Sequence, residues 1–213
     1  MHDRSASLIE LLAGQPVVPV LKIERLADAV PLACALAAGG LPAIEITLRT
    51  ECALDAIRLV VEEVPEAIVG AGTILSGKDF RHAADAGARF IVSPGTTQEL
   101  LDEAHLRPVP FLPGAITPSE IMALADEGYS VVKFFPAEQA GGAAFLKSLA
   151  SPLSAMRFCP TGGISPKNAG DYLALPNVVC IGGSWVASDD LLAGGRWDEV
   201  TALAAQAAGL RRR

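Results

Sequence analysis

The sequence predicts a mixed α/β fold, a (β/α)8 TIM barrel with an additional N-terminal helix. Three observations predict it. Short apolar runs of strand length alternate strictly with helical stretches, eight times over, and that alternation builds a parallel sheet which eight units can close. The units recur every ~20–27 residues, a spacing that suits one strand plus one helix. An open doubly wound sheet, the competing architecture, calls for a GxGxxG turn after its first strand, yet residues 17–25 contain no glycine. Residues 1–213 are therefore read as a single barrel domain.

Taken in order, Ser5 to Ala13 reads as a short amphipathic helix stopped by Gly14 and Pro16. Val17–Leu21 is the first strand, followed by a helix over Leu26–Ala38 that ends at Gly39-Gly40. Ala43–Thr47 is the second, with a helix over Cys52–Val64. Ile68–Ala71 runs into Gly72-Thr73 and a helix over Asp79–Ala86, and Phe90–Ser93 into Pro94-Gly95 and a helix over Gln98–His105. Val109–Leu112 stops at Pro113-Gly114, and Pro118-Ser119-Glu120 opens a helix to Glu127. Ser130–Phe135 is the sixth strand, with a helix around Ala143–Leu149. Arg157–Pro160 precedes Thr161-Gly162-Gly163 and a helix over Lys167–Leu173. Asn177–Ile181, the eighth, precedes Gly182-Gly183-Ser184, and helices run from Trp185 to about Ala208.

Composition narrows the function. Hydrophobic residues make up 51% and aromatics only 5%, a core of Ala, Val, Leu and Ile suited to a parallel sheet covered on both faces. The formal charge of −7 argues against nucleic acid as a partner, and Arg211-Arg212-Arg213 is too short to reverse it and reads as a frayed, solvated tail. Cys34, Cys52, Cys159 and Cys180 form no CxxC pair, which reads as reduced thiols in a cytoplasmic protein. The start, with His2, Asp3, Arg4 and Glu10, lacks a signal-peptide core, and no apolar run reaches the ~18 residues a membrane span needs. His82 and His105 fall on helices and no His/Asp/Glu cluster has ligand spacing, so no metal is expected; no other cofactor is expected either.

Barrel enzymes place their chemistry at the C-terminal ends of strands. There the run Val131-Val132-Lys133-Phe134-Phe135-Pro136 sets a lysine in an otherwise buried strand. A lysine in an apolar setting has a lowered pKa, and the neutral amine attacks carbonyls; the bland alternative is a lysine that snorkels to water. Alternation puts Glu45 and Thr47 on the face opposite Ile44 and Ile46, so Glu45 points inward toward Lys133. That pair reads either as a structural ion pair or as a nucleophile with its proton shuttle. Arg49 could hold a substrate carboxylate or merely pair with Glu51. Thr73 could donate to the same carboxylate, and Pro94 stands at the fourth strand's end. Gly162-Gly163 and Gly182-Gly183-Ser184 follow the last two strands, where barrels bind phosphate through backbone N–H groups. Lys22, past the first strand, reads equally as a phosphate contact or a solvated loop lysine.

The segments Glu45-Ile46-Thr47-Leu48-Arg49-Thr50, Val69-Gly70-Ala71-Gly72-Thr73, Ser93-Pro94-Gly95, Val132 to Glu138, Pro160-Thr161-Gly162-Gly163-Ile164 and Ile181-Gly182-Gly183-Ser184 closely resemble the 2-keto-3-deoxy-6-phosphogluconate (KDPG) aldolase family, which also acts as 4-hydroxy-2-oxoglutarate (KHG) aldolase. The likeness runs in order from about Pro16 to Trp185. It implies a metal-free class I aldolase of the Entner–Doudoroff pathway, assembled as a homotrimer. It also implies Lys133 as the Schiff-base lysine and Glu45 as general acid/base. Arg49 and Thr73 would hold the pyruvyl carboxylate, and Phe135 would pack by the imine. Thr161, Gly162, Gly163 and Ser184, beside Gly182 and Gly183, would serve the aldehyde half. The implied partners are a phosphorylated 2-keto acid, pyruvate and glyceraldehyde 3-phosphate. The alternatives are an aldolase for the galactonate epimer and, from a different class, a pyridoxal-phosphate carrier barrel, which also needs an internal lysine and a phosphate cup.

Overall fold

The structure, a computed structural model, describes residues 3–210; His2 and the Arg211-Arg212-Arg213 tail lie outside the described residues. Its elements are α1 (Ala6–Leu11), β1 (Val17–Leu21), α2 (Ala29–Ala38), β2 (Ala43–Thr47), α3 (Ala53–Glu63), β3 (Ile68–Gly72), α4 (Gly77–Asp85), β4 (Phe90–Val92) and α5 (Gln98–Leu106). There follow β5 (Phe111–Leu112), β6 (Gly114–Ala115), α6 (Pro118–Asp126), β7 (Val131–Phe134), α7 (Gly142–Leu149), β8 (Arg157–Pro160), α8 (Ala169–Leu173), β9 (Ile181–Gly183), α9 (Asp189–Ala193) and α10 (Trp197–Ala208). Among the described residues no helix is long and apolar enough to cross a membrane.

The fold is mixed α/β with parallel strands throughout. One sheet has the order β5-β4-β3-β2-β1-β9 and a second the order β6-β7-β8. Where one fifth strand is expected, two short ones stand, because Pro113 between them has no N–H for a ladder. Phe111 and Leu112 pair with β4, Gly114 and Ala115 with β7, and the Pro113 carbonyl accepts the Lys133 N–H at 2.8 Å. At the other seam, isolated parallel bridges join Phe158 to Val178 and Thr161 to Gly182.

The last strand departs from expectation. Asn177–Ile181 reads as a strand in sequence, but the ladder occupies Ile181–Gly183 and takes in the glycines expected to follow it. Its partner sets this register: β1 starts at Val17, so pairing begins at Ile181, whose N–H donates to the Pro16 carbonyl at 2.9 Å. The glycines are there because side chains press on that backbone. A Cβ at Gly182 would lie 2.2 Å from Thr161 Oγ1, and one at Gly183 would lie 2.0 Å from the Trp185 ring.

Strand alternation divides the interior in two. Ile44, Ile46, Val132 and Phe134 face the helices and form the larger apolar layer. Val18, Ala43, Phe90, Val92, Leu112, Val131, Cys159 and Cys180 face the other way and form a second cluster with Leu8 and Leu12 at α1. So α1 covers the N-terminal ends of the strands. Ser5 Oγ fastens it there by accepting the N–H groups of Ser130 and Val131, each at 3.0 Å. The Gln15 side chain donates to the Val17 and Ala43 carbonyls and accepts the Ala43 N–H. With that end sealed, the opposite end of the strands is left for chemistry.

At that opposite end three helix starts are capped. Ser76 and Thr97 accept the N–H groups of Asp79 and Leu100. Thr117 and Glu120 form a reciprocal capping box with Pro118 in the first turn. These caps fix where the loops after β3, β4 and β6 leave the sheet.

Candidate active site

Period-2 alternation on β2 turns Glu45 and Thr47 to the inner face, and the same alternation on β7 turns Lys133 there. The register makes them meet: Lys133 Nζ lies 3.0 Å from Glu45 Oε1 and 3.4 Å from Oε2. Lys133 is only 5% exposed and Glu45 4%, so the lysine does not snorkel to water. A charge buried this deeply persists only with a partner. Small neighbours make the room. A Cβ at Gly72 would sit 2.0 Å from Glu45 Oε1, and Lys133 is flanked in register by Gly114 and Cys159.

Beneath the pair lies an inert floor. Cys159 and Cys180 bring their sulfurs to 3.4 Å with both side chains buried. The neighbouring Cys180 thiol, and then burial, push the Cys159 thiol well above its ordinary range. It stays protonated and does not compete with the lysine for electrophiles. Above the pair, the Phe135 ring has its centroid 5.6 Å from Lys133 Nζ and stands 37% exposed at the mouth.

Arg49 does not take Glu51 as its partner. Its Nε donates to Thr47 Oγ1 at 2.9 Å, while Thr47 Oγ1 donates to the Leu21 carbonyl at 2.7 Å. The guanidinium is thereby held over the inner face with donors to spare. Thr73 sits at φ 58°, a left-handed conformation costing on the order of 1–3 kcal/mol for a β-branched residue. Its neighbour Ile74 is tied to the Val92 carbonyl at 3.2 Å, which helps to hold the turn. Backbone strain of this kind clusters at ligand sites.

These side chains surround a cavity of about 360 Å³. Glu45, Arg49, Thr73, Pro94, Lys133, Phe135, Thr161, Gly162, Gly163, Gly182 and Ser184 all line it. Gly183 does not, since its place in β9 serves the packing of Trp185. Val20, Thr47 and Ile164 line the cavity too. Val20 shares a strand face with Val18 and was findable by alternation, whereas Ile164 carries no polar signal. Lys22 lies outside the cavity, in an adjoining depression with Arg49, Ser184 and Asp189. Its ammonium pairs with Glu24, and that hydrogen bond raises its pKa. His82 and His105 are exposed on helices, the latter 3.5 Å from Glu127.

A buried amine beside a carboxylate, with a held guanidinium at one side and glycine turns at the other, suits a carbonyl substrate carrying an anionic group at each end. Comparison with known proteins bears on the same site. The family model described as "KDPG and KHG aldolase" matches residues 8–203. A KHG/KDPG aldolase of Escherichia coli (strain K12) is 51% identical over 207 residues, 97% of either chain. A KDPG aldolase from Legionella pneumophila, solved with pyruvate captured as a covalent carbinolamine intermediate, superposes with a TM-score of 0.91 at 42% identity, covering 93% of this chain and 97% of that one. The 2-keto-3-deoxy-6-phosphogluconate aldolase of Zymomonas mobilis ZM4, solved with 3-phosphoglycerate, gives 0.90 at 45% identity, covering 98% of both chains.

Proposed function

Because this chain belongs to the KDPG and KHG aldolase family, we propose that it is a class I aldolase cleaving 2-keto-3-deoxy-6-phosphogluconate to pyruvate and glyceraldehyde 3-phosphate, with 4-hydroxy-2-oxoglutarate as a second substrate. One observation carries the reading: the buried contact of Lys133 Nζ with Glu45 Oε1 at 3.0 Å, inside the cavity. In this reading the Lys133 amine adds to the C2 carbonyl and the resulting carbinolamine loses water to give an iminium. The iminium accepts the electron pair of the C3–C4 bond as Glu45 takes the proton from the C4 hydroxyl, releasing the aldehyde. Glu45 returns that proton to C3 of the enamine, and hydrolysis of the new iminium frees pyruvate and Lys133. The carbinolamine captured in the Legionella relative supports the first step.

Arg49 and Thr73 would hold the substrate carboxylate, and Phe135 would cover the imine. Pro94 would bound the carboxylate side. Thr161, Gly162, Gly163, Gly182 and Ser184 would receive the hydroxyls and phosphate of the aldehyde half, with Gly183 contributing through the course of β9. That the Zymomonas relative was solved with 3-phosphoglycerate supports a three-carbon phosphate as a ligand of such a site. We further read the chain as one barrel domain whose two sheets close through residues 111–115 and the Phe158–Val178 and Thr161–Gly182 bridges, preceded by α1. A cytoplasmic homotrimer completes the reading. Family membership sets aside the cofactor-carrier alternative; the galactonate epimer is separated by relative rates on the two phosphorylated substrates.

Borohydride reduction in the presence of pyruvate, followed by peptide mass spectrometry, tests the mechanism. A reduced pyruvyl adduct on Lys133, and not on Lys22, Lys78, Lys147 or Lys167, is the expected result. A folded protein with no adduct on Lys133 would overturn the assignment.

A further inference from the structure

The turn that follows β8 is held from outside the cavity by all three of its carbonyls. Thr161 O accepts the Ala137 N–H at 2.8 Å, Gly162 O accepts the Glu138 N–H at 3.1 Å, and Gly163 O accepts Asn168 Nδ2 at 3.2 Å. A planar trans peptide points its N–H opposite to its C=O. The N–H groups of Gly162, Gly163 and Ile164 are therefore turned away from those donors, and among the described residues none of the three finds an acceptor. All three residues line the cavity. Successive free N–H groups of this kind make an anion-binding concavity.

Such a turn does not hold itself. Gly162 and Gly163 stand at φ 103° and 75°, and glycine visits many other conformations at little cost. Two side-chain devices fix it. On one side Asn168 is bidentate, since its Oδ1 accepts the Ser165 N–H at 2.7 Å while its Nδ2 holds Gly163 O. On the other, the Glu138 side chain lies against Gly163, where an added Cβ would fall 2.7 Å from Glu138 Cβ and Cγ. The carboxylate of Glu138 is itself fixed by the hydroxyl of Tyr172, a fully buried side chain. Burial, and then the neighbouring Glu138, raise the pKa of that hydroxyl, so it remains a donor at any working pH.

We propose that Asn168 and the Tyr172–Glu138 pair are positioning residues that set the preference for phosphorylated over unphosphorylated substrate, by holding the N–H groups of Gly162, Gly163 and Ile164 open to the phosphate. The inference rests on the aldolase reading above. It separates two functions within one site. The imine chemistry is carried on β7 and β2, whereas the brace acts only on the turn after β8. 4-Hydroxy-2-oxoglutarate ends in a carboxylate at C5, three bonds short of where the phosphorylated substrate carries its phosphorus, so this anion does not reach the turn, gains nothing from it and loses nothing when it loosens.

The test is kcat and KM on 2-keto-3-deoxy-6-phosphogluconate and on 4-hydroxy-2-oxoglutarate for the wild type, Asn168→Asp and Tyr172→Phe. Asn168→Asp keeps an acceptor for the Ser165 N–H but sets a carboxylate oxygen against Gly163 O. Its KM for the phosphorylated substrate rises about 10-fold or more, the scale of charge-assisted hydrogen bonds to an anion. In Tyr172→Phe the rise is on the order of threefold, the scale of one neutral hydrogen bond. Cleavage of 4-hydroxy-2-oxoglutarate and borohydride labelling of Lys133 with pyruvate stay at the wild-type level, which also certifies that the variants fold. An unchanged KM for the phosphorylated substrate, or equal losses on both substrates, would overturn the inference. If one variant fails to fold, the other decides. Wild-type protein that cleaves neither substrate would instead bring down the aldolase reading, and this inference with it.

Discussion

On β7, Val131 and Lys133 point to the same inner face two residues apart, yet they occupy opposite environments. Val131 belongs to a dry cluster with Leu8, Leu12, Phe90 and Cys180, while Lys133 sits against the carboxylate of Glu45. The same contrast recurs along β2, where Ala43 faces the apolar cluster and Glu45 the cavity, and at the end of β8, where Cys159 gives way to Thr161 just beyond the strand. Backbone geometry is alike at both ends, so the contrast comes from what each end can offer a polar group. The N-terminal end is closed by α1 and the residues flanking it, where the polar side chains of Ser5 and Gln15 are used up on backbone groups. Any further polar side chain would be buried without a partner. At the C-terminal end the buried charges of Lys133 and Glu45 are partners to each other, and open space remains for a ligand.

The largest expected effect moves charge along this axis. Lys133→Met should cost turnover by about 10⁴-fold or more, as losing a nucleophile does, while circular dichroism shows the fold retained. Its mirror, Val131→Lys, sets an unpaired ammonium among Leu8, Leu12 and Phe90. It should destabilise by roughly 3–5 kcal/mol, read by chemical denaturation. If Val131→Lys melted like the wild type, the contrast between the two ends would fail. Next comes Glu45→Gln, which should slow turnover by about 10²- to 10⁴-fold, as removal of an acid/base does. Borohydride labelling with pyruvate should persist. Wild-type turnover would remove Glu45 from the proton transfers.

Smaller effects sharpen the division of labour. Leu8→Ala empties part of the seal and should cost about 2–5 kcal/mol of stability, with kcat of the folded protein unaltered. A matching fall in kcat would show that the seal reaches the chemistry.

The smallest effect is pH-dependent and belongs to the cavity end. The N–H of Thr117, then that of Ile116, holds the Glu120 carboxyl below its ordinary range. A depressed folded-state pKa gives stability that is present above the unfolded value of about 4.3 and lost as pH falls through the folded value. Glu120→Gln should therefore flatten the acid limb of the stability profile, by about 1 kcal/mol or less for one exposed cap. Leu8→Ala should leave the shape of that limb unchanged, because the Leu8 side chain carries no titratable group.

Much of this architecture was legible in the chain. Alternation of Glu45 and Thr47 against Ile44 and Ile46, and of Lys133 against Val132 and Phe134, was enough to predict which side chains turn inward, because the strand period is 2 whatever the surroundings. The ranges of β1 and β2 were readable as short apolar runs, each entered through a proline, Pro16 and Pro42. Other features were not. The shift of β9 onto Ile181–Gly183 depends on where β1 begins, and the split at Pro113 on two neighbours that each take half a strand. Arg49 chose Thr47 over Glu51 because Thr47 was already anchored to Leu21 on the adjacent strand.

Sequence by itself determined the local and periodic properties. These are the strand–helix alternation, the inward parity of Glu45 and Lys133, and the turns that only glycine can make. Tertiary structure alone decided which distant residues meet. The contact of Lys133 with Glu45 spans 88 positions, the floor of Cys159 and Cys180 spans 21, and the brace of Tyr172 on Glu138 spans 34. Periodicity tells a side chain which face to take, since backbone sterics act between neighbours. What it finds there depends on sheet register, which is set cooperatively by every strand at once.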